Sequence, residues 1–156
     1  MNRLGKNTTL PSDVERPSFD PAALEVGIVH IGIGAFHRAH QAVYTDKAIE
    51  AGSTEWGIAG ASLRSIDIVA DLKAQDFRYS IVTRGSHGDR ARIVGSIVDA
   101  IAATEERERL LSRLADNRTR IVTLTVSEKA YGIDPVTGGL DPLHTAIIHD
   151  LAPPHQ

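Results

Sequence analysis

Cysteine is absent from the 156 residues, and aromatic side chains are scarce, with one Trp, three Tyr and three Phe. Without cysteine there is no disulfide framework, no thiolate metal site and no cysteine nucleophile, and the composition suits a reducing cytoplasm, where the protein is expected. Long apolar runs are missing too. Nothing approaches the roughly 18 apolar residues of a membrane span, and the opening MNRLGKNTTLPSDVERPSFDP carries no apolar stretch of the secretory kind. No membrane partner is expected. Charge of one sign is also lacking: Lys+Arg 17 against Asp+Glu 20 gives a formal net charge of -3. That balance leaves no basic field to hold nucleic acid by long-range attraction. The length allows one domain that buries roughly 70% of the surface its unfolded chain exposes, without room for a second full domain.

What is present has a clear order. Residues 1–25 hold Pro11, Pro17 and Pro21 among Ser, Asp and Glu without periodicity, which predicts an extended leader or wrap. At Val26 a short β-branched run, Gly27-Ile28-Val29-His30-Ile31, stops at Gly32 and reads as a buried parallel strand. Ala39, Ala42, Val43 and Ile49 then share one stripe of a helix over about 36–51, with Asp46 off that stripe and Gly52 as its C′ residue. Trp56 to Ala61 predicts a second strand and Ile66 to Gln75 a second helix, so the segment is a βαβ unit. Further on, 79–83 and 91–98 read as strands joined by a polar, glycine-bearing connection, an antiparallel hairpin inserted in a mostly parallel sheet. A helix beginning near Thr104 and a strand over 119–126 complete the pattern. The fold class is α/β, a Rossmann-like, doubly wound, mostly parallel sheet over residues 26–156.

Chemistry concentrates at Ile28-Val29-His30-Ile31-Gly32-Ile33-Gly34-Ala35-Phe36-His37-Arg38-Ala39-His40-Gln41. A pyrophosphate needs a tight turn off a strand, close approach of backbone N–H groups and the positive end of a helix; Gly32 and Gly34 occupy the first two positions of that fingerprint. The third, which normally lets helix and strand approach closely, is His37. Spacing alone leaves a dinucleotide site, an S-adenosylmethionine site and a purely structural turn all open. Asp67 is the nearest acidic residue to bond a ribose hydroxyl, although it lies 35 residues beyond Gly32, farther than the usual spacing of about 20. Arg64 would suit a 2′-phosphate instead. His37 and His40 have helical spacing but no third ligand, so no metal is expected and either phosphate-side hydrogen bonding or helix-start packing accounts for them. His30, inside a strand, reads as a core histidine. The end of the last strand opens into Ser127, Glu128, Lys129 and Tyr131, where open α/β sheets bind ligands.

Taken together, Gly-Ile-Gly-Ala-Phe-His-Arg-Ala-His-Gln, Trp-Gly-Ile-Ala-Gly, the Ala-Gln-Asp stretch at 74–76 and Thr-Leu-Thr-Val-Ser-Glu-Lys-Ala-Tyr resemble the mannitol dehydrogenase family over residues 17–155. That family comprises long-chain polyol dehydrogenases such as mannitol 2-dehydrogenase and the fructuronate and tagaturonate reductases. The resemblance implies that Gly32, Gly34, Ala35, Phe36, His37 and Arg38 form the NAD-binding turn, and that the missing third glycine is a family trait. It implies that Asp67 falls near the acidic residue for the adenosine ribose, and that Glu128 borders the substrate cavity and takes part in proton movement. NADP is not excluded. The family's general base is a lysine in a second, mostly helical domain, expected beyond this chain; Lys129 is not that lysine. The expected function is hydride transfer between nicotinamide and a polyol or sugar acid in the complete enzyme, with this part alone inactive. The alternative is a truncated, non-catalytic nucleotide-binding module.

Overall fold

The computed structural model describes residues 3–5, 7–86, 88–126 and 131–152, and it divides into two units between Leu124 and Thr125. In the first unit, β1 (Val26–Ile31) leads into α1 (Ala35–Ala39) and α2 (Gln41–Glu50), followed by β2 (Gly57–Ser62) and α3 (Asp67–Lys73). A hairpin of β3 (Tyr79–Thr83) and β4 (Arg90–Val94) comes next, then β5 (Ile97–Ala102), α4 (Arg107–Leu114) and β6 (Ile121–Leu124). Four of these strands form one parallel sheet in the order β5-β2-β1-β6. The chain moves outward from β1 to β5 and then returns to the far side of β1. Strand order therefore reverses between β1 and β6, and the crevice at the carboxyl ends of those strands is the topological switch point.

Alternation along the strands explains how the sheet is covered. Ile28, Ile58, Ile97, Ala100 and Ala102 face one side and pack with Ala42 of α2 and with Val69 and Leu72 of α3. Val29, Ala61 and Ile101 face the other side and pack with Leu110 of α4. Helices thus lie on both faces, as a parallel sheet requires, and the doubly wound α/β architecture read from the sequence is the one observed.

Three local readings differ. The hairpin is not inserted in the parallel sheet: β3 and β4 form a two-stranded sheet of their own. The strand expected over 91–98 is two strands, because the Asp46 carboxylate accepts the Gly95 N–H at 2.9 Å and the Ser96 hydroxyl donates to the Ala42 carbonyl at 2.6 Å. Those bonds take the backbone out of the β3 ladder and redirect it into β5. The helix expected over 36–51 is broken at His40, whose φ of -123° and ψ of -87° end α1 and start α2. Its far end closes as expected, with Gly52 at a φ of 112°, the Gly52 N–H on Ile49 and the Ser53 N–H on Ala48.

Asp46, assigned by periodicity to the outer side of the helix, is fully buried. Arg92 of β4 donates to it at 2.7 Å and also meets Glu50 at 3.0 Å and Glu15 at 2.8 Å. Glu15 further exchanges backbone hydrogen bonds with Ala91 and Ile93, so this part of the leading segment lies along β4. Burial pushes the Asp46 carboxyl up, while Arg92 and the Gly95 N–H pull it back. In the second unit, α5 (Thr145–Leu151) starts at His144, whose Nδ1 accepts the Ala146 N–H at 3.3 Å. No helix among the described residues is long and apolar enough to cross a membrane.

Candidate functional site

The turn after β1 is spliced onto β2. The Gly32 and Ile33 N–H groups both donate to the Ala61 carbonyl, at 2.8 and 3.3 Å, and the Gly34 N–H donates to Gly32 at 2.6 Å. Gly32 has a φ of 105°, a conformation that a residue with a Cβ rarely adopts. Ile33, only 2% exposed, presses into β2 at Gly60, where an added Cβ would stand 2.0 Å from Ile33 Cγ2. The close approach that a third glycine on the helix would provide is supplied from the neighbouring strand. Sequence reasoning missed Gly60; a glycine inside a strand was the available signal.

Gly34 is different. Its φ of -72° and ψ of -179° suit any residue, and among the described residues a Cβ there would meet nothing nearer than the Gly32 carbonyl at 3.9 Å. Neither backbone strain nor packing among the described residues calls for glycine at this position. Its missing side chain leaves open space on the outer surface of the turn, at the amino end of α1.

His37, at the third motif position, lies under the turn. It is 1% exposed and stacks flat on His30, with ring centroids 3.6 Å apart and planes 9° from parallel. Neither of its nitrogens has a hydrogen-bond partner among the described residues. Burial, reinforced by His30 and Arg38, pushes His37 down to about 3, so the ring is neutral. His37 is thus packed beneath the helix start. His30 is tied at both nitrogens, Nδ1 to the Thr123 hydroxyl at 2.7 Å and Nε2 to the Gly32 carbonyl at 3.2 Å. Burial outweighs the Gly32 bond and pushes His30 down as well.

The other motif residues take distinct places. Arg38 folds back and donates from Nη1 to the Ile33 carbonyl at 2.8 Å, while the buried Tyr79 hydroxyl of β3 donates to the Arg38 carbonyl at 2.7 Å. Phe36 is 65% exposed and stacks on His40, which meets the edge of Tyr44. Asp67 is the exposed first residue of α3, and Arg64 is exposed in the loop between β2 and α3. Glu128, with Ser127 and Lys129, lies outside the described residues. Among the described residues no three His, Asp or Glu side chains are grouped to hold a metal.

A parallel sheet with its order reversed beside β1, and a glycine turn running from β1 into a helix at that point, define a Rossmann domain. The chain belongs to the mannitol dehydrogenase Rossmann domain family, which it matches over residues 26–149. It is 43% identical to mannitol 2-dehydrogenase of Cereibacter sphaeroides, covering 90% of this chain and 30% of that protein. It is 39% identical to D-mannonate oxidoreductase of Escherichia coli (strain K12), again covering 90% of this chain and 30% of that protein. The solved ternary complex of Pseudomonas fluorescens mannitol 2-dehydrogenase with NAD and D-mannitol superimposes with a TM-score of 0.82 at 37% identity, over 96% of this chain and 32% of that one. The chain thus spans about a third of the length of the relatives it matches.

Proposed function

We propose that this chain is the cofactor-holding domain of an NAD-dependent oxidoreductase acting on a polyol or sugar acid, of the mannitol/fructose or mannonate/fructuronate type. The observation that carries the reading is Gly34, an exposed glycine that packing among the described residues does not need, on a turn at the switch point. A backbone without a side chain at that place admits the close approach of a pyrophosphate. The family, and the relatives' polyol and sugar-acid chemistry, support the same reading.

The residues present fit the group. Gly32 supplies the turn conformation, Gly34 the open surface, and Ala35, Phe36, His37 and Arg38 the first turn of the helix, with the fixed positive charge of Arg38 favouring an anion. His37 serves this set by filling the space beneath it. Asp67 follows β2, where a carboxylate accepts ribose hydroxyls and disfavours a 2′-phosphate; Arg64 in the same loop is the group that would admit NADP. When bound, NAD takes or returns the hydride of a secondary alcohol carbon. Glu128 supports proton movement beside the substrate, and the general-base lysine and the sugar-binding residues belong to a further domain of the complete enzyme. The protein works in the cytoplasm.

Fluorescence titrations of NADH and NADPH test this. Wild type is expected to prefer NADH, and Asp67→Ala to weaken NADH about tenfold while leaving NADPH unchanged or tighter. Equal NADH affinity in both proteins removes Asp67 from the site, and absence of nucleotide binding by wild type removes the cofactor reading. Turnover of mannitol or fructuronate by this chain alone would contradict the assignment of the proton-moving residue to another domain.

A further inference from the structure

We propose that His30 is a positioning residue of the glycine turn, held in place by Thr123 and Gln41, and that through the Gly32 carbonyl it sets where Gly34 meets the cofactor. The proposal rests on the cofactor reading above and adds residues beyond those assigned to the NAD-binding turn: one inside β1, one on β6 and one at the start of α2.

The direction of each hydrogen bond follows from the atoms. A carbonyl only accepts, so the bond to Gly32 fixes the hydrogen of His30 on Nε2. His30 Nδ1 is then an acceptor, and the Thr123 hydroxyl donates to it at 2.7 Å. That hydroxyl oxygen lies 3.3 Å from both Gln41 Nε2 and Gln41 Oε1; with its one hydrogen on His30, it is left to accept from Nε2. The chain of donors therefore runs from α2 through β6 and β1 into the turn. It joins β1 and β6, the two strands between which the sheet order reverses. At its end the Gly32 carbonyl also accepts the Gly34 N–H at 2.6 Å, so the peptide that His30 orients is the one that locates Gly34.

His37 completes the arrangement by holding the ring plane. It offers no polar contact to any described residue, and its ring lies 9° from parallel with that of His30 at 3.6 Å. Among the described residues, His30 is thus held by hydrogen bonds at both ring edges and by a flat surface on one face. A side chain that merely filled core space would gain nothing from edges aimed at a turn peptide and at a neighbouring strand, because buried polar atoms are costly unless paired.

Thr123→Val removes the hydroxyl at nearly constant shape, and Thr123→Ser restores it. In this chain, nitrogen-15 spectra of wild type are expected to show His30 protonated at Nε2 and not at Nδ1. Thr123→Val should shift the Gly32 and Gly34 amide resonances and weaken NADH about tenfold, and Thr123→Ser should return both to the wild-type values. If the valine variant does not fold, Gln41→Leu, which leaves the hydroxyl in place, is expected to move the same two amides with a two- to threefold loss of NADH affinity, an order-of-magnitude estimate for one neutral hydrogen bond. An Nδ1-protonated His30, or Gly32 and Gly34 amides unmoved by the substitutions, overturns the proposal. A wild type whose turn amides answer to Thr123 but which binds no NADH keeps the positioning role and overturns the cofactor reading alone.

Discussion

Gly60 lies inside β2 beneath the turn, Gly34 lies on the turn's outer surface, and the two are glycine for opposite reasons. At Gly60 an added Cβ would be driven into Ile33, a collision wholly internal to the fold. At Gly34 the same atom would meet almost nothing among the described residues, in a backbone conformation open to any residue. The first glycine is explained by packing; the second, on the cofactor reading proposed above, by what approaches from outside. The same contrast separates the polar groups: Asp46 and Arg92 pair inside the protein, whereas Asp67 and Arg64 stand exposed after β2.

Substitutions on the internal side should cost stability. The largest effect is expected at Asp46→Ala, which leaves Arg92 without its buried partner and should lower unfolding stability by about 3–5 kcal/mol in urea titrations. A loss under about 1 kcal/mol would mean that Glu15 and Glu50 carry the arginine unaided. Gly60→Ala should follow at about 1–3 kcal/mol, because the new methyl must displace Ile33 in a packed core. A neutral Gly60→Ala would show that the turn can move off β2, and the contrast with Gly34 would fail.

A smaller effect is expected from pH. His37 is held down to about 3 in the fold, against 6.5 for an ordinary imidazole, so the folded state keeps it neutral. An unfolded chain binds a proton there below about pH 6.5, and the stability that the neutral ring supports is therefore complete above that pH and drains as pH falls toward 3. One proton gives a slope of up to about 1.4 kcal/mol per pH unit in that window. His37→Phe keeps a flat ring without the titration and should flatten the slope by one proton between pH 6.5 and 4.5; an unaltered slope would show that His37 titrates normally.

Much of this was legible before the structure. Ile28 to Ile31 with Gly32 and Gly34, followed by an amphipathic helix and a second strand, specified the βαβ unit, since each signal is local and periodic. Gly52 marked its helix end for the same reason. What escaped depends on partners far along the chain. Asp46 looked solvated on a helical wheel because Arg92, which buries it, is on β4. The strand expected over 91–98 broke where Asp46 and Ala42 bind Gly95 and Ser96, a cause absent from the strand itself. His30 passed for an ordinary core residue because Thr123 and the turn peptide give it direction only in three dimensions. Turn chemistry was readable, and the scaffold that aims it was not.

Gly34→Ala tests the central claim most directly, with unfolding stability and NADH affinity measured on the same protein. An alanine for glycine at an ordinary φ is expected to leave stability unchanged or raise it by about 0.4–1 kcal/mol, while NADH affinity falls at least about tenfold, the equivalent of 1.4 kcal/mol. Unchanged NADH affinity in a stable Gly34→Ala protein would contradict the account, because the open face of the turn would then not be where the cofactor lies.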